Sequence, residues 1–146
     1  MTLSSVLMAS DHAGVALKAS ISGVLTSRGL SVDDLGTTGD QSVDYPDIAD
    51  RLVGALLAGR GQKGILICGT GIGIGIAANR HPDIRAATCH DVTTARLARA
   101  HNDANILCLG ARIVGLDVAL DCVNAFLETS FEGGRHQRRI DKLGGE

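Results

Sequence analysis

Five short apolar runs alternate with longer stretches of helical spacing, and that alternation limits the folds open to the chain. The runs are SVLMA (5–9), SVDDL (31–35, the weakest), GILIC (64–68), IRAATC (84–89) and NILCLG (105–110). Between them, Leu17, Ile21, Val24 and Leu25, then Ile48, Leu52 and Leu56, then Leu116, Leu120, Val123 and Leu127 recur at the spacing of one helix face. Pro46 suits the first turn of the second helix, Asp91 caps the helix that carries Ala95 and Ala98, and Gly29 closes the first. Strand and helix alternating in this way predict an α/β fold, a three-layer αβα sandwich around a five-stranded parallel, Rossmann-like sheet. At 146 residues the expectation is one domain spanning 1–146.

Composition excludes several function classes. Aromatic residues make up 2%, too few for the base-stacking platforms of single-stranded nucleic-acid binders. The net charge of −2 provides no global field for DNA or an anionic membrane, so an anionic ligand needs a local cluster of cations. No apolar run approaches the roughly 20 residues of a membrane span, and the start MTLSSVLMASDHAG lacks the basic segment of a signal peptide. Cys68, Cys89, Cys108 and Cys122 stand in apolar surroundings without C-x-x-C pairing, which fits a reduced cytoplasmic protein.

In parallel sheets ligands bind beyond the carboxyl ends of the strands, so the strand-end sequences carry the functional signal. Strand one ends at SDHAG, strand three at CGTGIGIG and strand four at CHD; strand five is entered through AHNDAN and left through GARIVG. Glycine at 69, 71, 73 and 75 is more than a turn requires. Neither dinucleotide-binding G-x-G-x-x-G nor P-loop G-K-[ST] spacing is met. An anion cradle of main-chain N–H groups at a helix start is the expectation, with a plain tight turn as the bland alternative. Cys68 taken alone reads as a small buried hydrophobe. At a strand end beside those amides its thiolate is favoured, and the same amides can stabilise a substrate oxyanion, an arrangement suited to proton abstraction next to a carbonyl. Thr70 adds a hydroxyl or merely completes the turn.

Asp11 and His12 read either as a helix cap with an exposed neighbour or as substrate ligands. His101, Asn102 and Asp103 read as a polar helix end or as an acid with hydrogen-bonding neighbours. Asp11, His12, His101 and Asp103 lack metal-ligand spacing, so no metal is expected. In EGGRHQRR, Arg135 and Arg139 are four apart and project from one helix face, ordinarily a solvated one. With Arg112 placed near the same sheet end, three guanidinium groups and a histidine would suit a phosphate dianion.

Six ordered segments, SDHAG (10–14), DYPD (44–47), GILICGTGIGIGIAANR (64–80), RAHNDANIL (99–107), GARIVG (110–115) and EGGRHQRR (132–139), give the chain its resemblance to the ribose-5-phosphate isomerase B family, with its galactose- and allose-phosphate isomerase relatives. The resemblance covers nearly the whole length. It implies an aldose–ketose isomerase acting through an enediolate, with Cys68 as base and Thr70 and the amides of Gly69, Gly71, Ile72 and Gly73 around the intermediate. It also implies that His101 assists ring opening and that Asp11 and Asn102 bind hydroxyls. His12, Arg112, Arg135 and Arg139 would hold the phosphate, and Tyr45 would line the pocket. Some members carry a glutamate in the glycine-rich loop, where this chain has Ile74. The family resemblance further implies homodimers or tetramers with pockets shared between chains, no cofactor or metal, and a C-terminal arm from about residue 130 packing on the partner. Other sugar phosphates, among them a tetrulose phosphate, remain alternative substrates, and a non-catalytic sugar-phosphate or nucleotide-binding module is the alternative outside enzymology.

Overall fold

Three central strands, 5–10, 63–68 and 106–110, are buried almost continuously, so side chains pointing to opposite faces make both faces of the sheet apolar, and helices cover both. The computed structural model describes residues 5–144, so the ends of the expected 1–146 domain and the MTLS start lie outside the described residues. In chain order the elements are β1 (Ser5–Ser10), a 3-10 turn (His12–Gly14), α1 (Val15–Ser27), β2 (Ser31–Asp34), α2 (Tyr45–Leu57) and β3 (Lys63–Cys68). There follow α3 (Ile72–Ala78), β4 (Ala86–Thr88), α4 (Val92–Asn102), β5 (Ile106–Gly110), α5 (Leu116–Glu128) and α6 (Arg135–Leu143). All pairings are parallel and the strand order is β2-β1-β3-β5-β4. Among the described residues no helix is long and apolar enough to cross a membrane.

Val6, Met8, Ile65, Ile67, Leu107 and Leu109 face one layer, formed by Ile21 and Leu25 of α1, Ala95 of α4 and Val123 and Phe126 of α5. Leu7, Ala9, Leu66, Cys68, Ile106 and Cys108 face the other, formed by Ile48 and Leu52 of α2 and Ile74 and Ala78 of α3. Each large side chain so buried contributes about 1.5–3 kcal/mol, and with two aromatic phenylalanines in the whole chain this aliphatic packing supplies most of the core. The helix signals act as expected. Pro46 lies in the first turn of α2, Asp91 accepts the Thr94 N–H at 2.7 Å, and Gly29 follows α1 with φ +86°.

Two expectations need adjusting. β4 is three residues long rather than six, although main-chain bonds to the β5 side continue at Arg85 and Cys89, and the Asn79 side-chain amide satisfies the open edge at Ala86 (2.9 Å to its C=O, 2.8 Å from its N–H). The buried face of α1 is Lys18, Ile21 and Leu25, whereas Leu17 and Val24 are half-buried.

Topology positions the site. The chain leaves β1 for α1 on one face and leaves β3 for α3 on the other, so the two exits diverge and open a crevice at the carboxyl edge.

Candidate active site

β3 carries Cys68 to that edge and hydrogen bonds fix it laterally. The Asp11 N–H donates to the Ile67 C=O at 3.1 Å on one side, and the Ala111 N–H donates to the Cys68 C=O at 2.9 Å on the other. The chain then reverses through Gly71 at φ +79°, and the Gly71 N–H points back at Cys68 Sγ, 3.2 Å away. An amide hydrogen aimed at sulfur is a contact that a thiolate accepts more strongly than a thiol. At 4% exposure the thiol presents little surface to the crevice.

The neighbouring amides divide into two sets. The Ile72 N–H donates to Thr70 Oγ1 at 3.2 Å, so Gly71 and Ile72 are already engaged by sulfur and hydroxyl. The first bond inside α3 runs from the Gly75 N–H to the Gly71 C=O, leaving the Gly73 and Ile74 amides without a partner within the helix. Thr70 therefore does complete the turn, while its exposed hydroxyl keeps a hydrogen to donate.

Glycine is required at 71, and at 73 a side chain would displace the Tyr45 ring. A Cβ on Gly71 would lie 2.9 Å from the Leu109 carbonyl carbon in a left-handed conformation, and one on Gly73 would lie 2.6 Å from the Tyr45 ring. Gly71→Ala is expected to cost at least about 2 kcal/mol of stability and to swing the amide off the sulfur, with a larger loss in kcat than in KM. Gly23, on an open face of α1 with nothing within 4 Å, is the control: Gly23→Ala raises stability by about 0.5–1 kcal/mol and leaves kinetics alone. Denaturant unfolding and steady-state rates on both variants check this.

Around this loop stand the other carboxyl-edge candidates. Buried Asp11 accepts the Ala13 N–H at 3.0 Å and so caps the 3-10 turn, as its bland reading required, with its second oxygen left over. His12 Nδ1 accepts the Val43 N–H at 3.2 Å. The Arg112 N–H donates to the Gly69 C=O at 2.9 Å, and its guanidinium lies over Gly69. Tyr45 and Gly73 line a groove of about 500 Å³ with Asp50, Ile76, Arg80 and His81. Ile74, at the position where some relatives carry an acid, is fully buried in the core.

The remaining candidates lie at the opposite, amino edge, and this corrects the expectation that Arg112 stands near the same sheet end as Arg135 and Arg139 within one chain. α4 runs back from the carboxyl end of β4, so His101 and Asn102 at its far end sit where β5 begins. The segment after α5 is tied there too, with the Glu132 N–H donating to the Ala100 C=O at 3.0 Å. α6 buries His136 and Ile140 and leaves Arg135 and Arg139 exposed on its outer face. Within one chain, Arg112 is thus on the edge opposite Arg135 and Arg139. A second concavity, about 400 Å³, opens at the amino edge between Asn79, Arg85, Asn102 and Leu143, and Cys68 lines neither one.

Sequence reading gave no weight to His136 and Glu132. The His136 and His101 rings stack at 4.4 Å and 14°, and Glu132 Oε1 lies 3.7 and 3.9 Å from their Nε2 atoms. Burial first, then the charges of His101 and Arg135, lowers the His136 pKa, with Glu132 opposing. Among the described residues these three form the group whose ligand atoms could share an ion, all within 4.8 Å of one another. The ring planes are nearly parallel, so their nitrogen lone pairs do not meet at one point. Asp103 is paired with Arg99 and Arg85 instead of completing a metal set with Asp11, His12 and His101.

The four cysteines are free. Burial pushes the thiols of Cys89, Cys108 and Cys122 upward, Cys122 to about 11, as suits neutral packing groups. Cys68 is the one that receives a main-chain amide.

Comparison with known proteins extends over nearly the full length. Residues 6–143 match the Ribose/Galactose Isomerase family. The ribose-5-phosphate isomerase B of Escherichia coli is 46% identical over 133 residues, which is 91% of this chain and 89% of that protein. The solved ribose-5-phosphate isomerase B of Clostridium thermocellum superposes with a TM-score of 0.94 at 51% identity, covering 96% of this chain and 95% of that one. That of Mycoplasma genitalium with bound ribulose-5-phosphate superposes at 0.92 and 42% identity, covering 98% and 95%. The chain belongs to the Ribose/Galactose Isomerase family.

Proposed function

We propose that this protein interconverts ribose 5-phosphate and ribulose 5-phosphate through an enediolate, with Cys68 as the base. The observation that carries the reading is the Gly71 N–H directed at Cys68 Sγ, with the uncommitted Gly73 and Ile74 amides beside it. In the open-chain aldose the Cys68 thiolate removes the proton on C2, and negative charge develops on the carbonyl oxygen at C1. The loop amides and the Thr70 hydroxyl stabilise that oxygen. The hydroxyl proton passes from O2 to O1, Cys68 returns its proton to C1, and the ketose results. Asp11 accepts from a sugar hydroxyl, Tyr45 walls the pocket, and the phosphate held far from the reacting carbons keeps them in register.

Two copies of the chain complete the pocket. His101, as the ring-opening acid, and Asn102, Arg135 and Arg139 lie on the edge away from Cys68, so a second subunit must bring them to the crevice, with the C-terminal arm packing across. Exposed Ile72 and Ile76, one turn apart on α3 beside exposed Tyr45, offer the apolar surface for that contact. The reaction belongs in the reducing cytoplasm, consistent with four free thiols, one of which has to ionise.

Ribose 5-phosphate incubated with the protein in heavy water is expected to give ribulose 5-phosphate carrying deuterium at C1. Allose 6-phosphate, galactose 6-phosphate and a tetrulose phosphate run in parallel rank the substrates. Absence of both ketose and deuterium exchange from every member of the panel overturns the isomerase reading.

A further inference from the structure

His12 accepts a hydrogen bond from a group that can only donate. The Val43 N–H reaches His12 Nδ1 at 3.2 Å, and a peptide N–H offers no lone pair in return. Nδ1 must therefore hold its lone pair toward Val43, which places the single ring hydrogen of a neutral imidazole on Nε2. Conversion to imidazolium, or to the other tautomer, breaks the contact.

The loop that carries Val43 is held unusually firmly at its start. The Leu35 N–H donates to the Met8 C=O (2.8 Å), the Ser10 N–H to the Gly36 C=O (2.8 Å) and the Thr37 N–H to the Ser10 C=O (2.7 Å). These bonds prolong the β1–β2 pairing beyond the end of β2, as far as the residue before Asp11. Lys18, 2% exposed, then clamps the same loop from α1, with Nζ 2.7 Å from both Asp34 Oδ1 and the Thr37 C=O. Asp34 Oδ1 also accepts the Gly36 N–H at 2.9 Å. A buried ammonium is tolerated only when paired, and an aliphatic side chain would fill this space without that demand. The lysine sits one turn after the 3-10 turn that His12 opens, so one side chain ties the helix following His12 to the loop that donates to His12.

We propose that Lys18 and the Val43 N–H form one positioning device for His12. The lysine pins the loop, and the loop amide fixes His12 as the neutral Nε2–H tautomer. His12 then serves a substrate oxygen as a hydrogen-bond donor, neither base nor cation, and positive charge for the phosphate comes from the arginines. This rests on the reading of the carboxyl-edge crevice as the sugar-phosphate site.

Nitrogen NMR of the full chain labelled with ¹⁵N-histidine, its His12 signals assigned by loss in His12→Ala, reads the tautomer directly. Expected is a bare Nδ1 and a protonated Nε2 at neutral pH; a protonated Nδ1 overturns the proposal. Glutamine places an uncharged N–H donor near the position of Nε2. His12→Gln is therefore expected to raise KM for ribose 5-phosphate only about 3-fold where His12→Ala raises it about 30-fold. Equal losses in the two variants mean that charge or basicity is needed and reject the donor role. Asp34→Asn keeps an oxygen for the buried ammonium and for the Gly36 N–H while removing the charge, so it is the variant that tests the clamp with the fold kept. It is expected to raise KM about tenfold, leave kcat within about 2-fold, and mix the His12 tautomers. A drop in melting temperature with KM and the nitrogen spectrum unchanged marks a purely structural lysine and removes Lys18 from the device. The tautomer is read without substrate, so a protein that turns over no sugar phosphate while keeping a bare Nδ1 defeats the function reading alone.

Discussion

Cys68→Ala is expected to lower kcat by about 10³-fold or more, while a non-reacting phosphorylated ligand binds within a few-fold of its original affinity. If Cys68 is the proposed base, nothing in this loop can replace it: the other side chains are the Thr70 hydroxyl and isoleucines, and the fully buried Ile74 cannot take a proton. Phosphate binding is assigned to groups outside the loop, so rate and affinity separate. Cys68→Ser is expected to be almost as inactive, because its oxygen keeps the position and loses the acidity. Cys108→Ala is the control. That thiol is fully buried on the same face of the sheet, and its removal lowers stability by about 1–3 kcal/mol without touching the chemistry. Single-turnover rates and calorimetric binding of a non-reacting sugar phosphate check both halves; more than a tenth of the original kcat left in Cys68→Ala moves the base elsewhere.

Mixing two inactive variants is expected to restore activity. Cys68→Ala damages the carboxyl edge of its own chain, and His101→Ala damages the amino edge. If each pocket joins the carboxyl edge of one chain to the amino edge of another, a mixed dimer contains one pocket with both lesions and one with neither. Random reassortment of equal amounts then returns about a quarter of the original sites. Pockets confined to single chains return none. Co-expression with two different affinity tags, followed by sequential purification, isolates the mixed dimers, in which about half of the sites are then active, and two variants damaged on the same edge, Cys68→Ala with Arg112→Ala, must fail to complement.

Signals that act over one or two turns of chain were legible from the residues alone. Pro46, Asp91 and Gly29 mark helix ends through bonds to near neighbours, and the apolar runs locate all five strands. The glycine-rich loop was recognisable because its requirement, a reversal at Gly71 beside the strand end, is also local. Edge assignment was not. The AHNDAN segment reads like any polar strand boundary, and only the direction of α4 decides that His101 faces away from Cys68. Lys18 shows the other kind of loss. It falls on the same helical stripe as Ile21 and Leu25, so periodicity could have marked it as inward-facing, but a lysine there is interpretable only once Asp34 and the Thr37 carbonyl are known to meet it. The covering of the β4 edge depends similarly on Asn79, seven residues away from Ala86.

The insertion of β5 between β3 and β4 has a consequence for synthesis on the ribosome. β4 bonds to no strand except β5, so a nascent chain that has emerged only through residue 105 holds β4 without a neighbour and leaves the outer rim of β3 open. That rim, Gly64 to Cys68, is among the most apolar stretches of the protein and would template sticking to other unfinished chains. The last strand to be translated is the wedge that closes the sheet, so a pause before it prolongs the exposure of that rim.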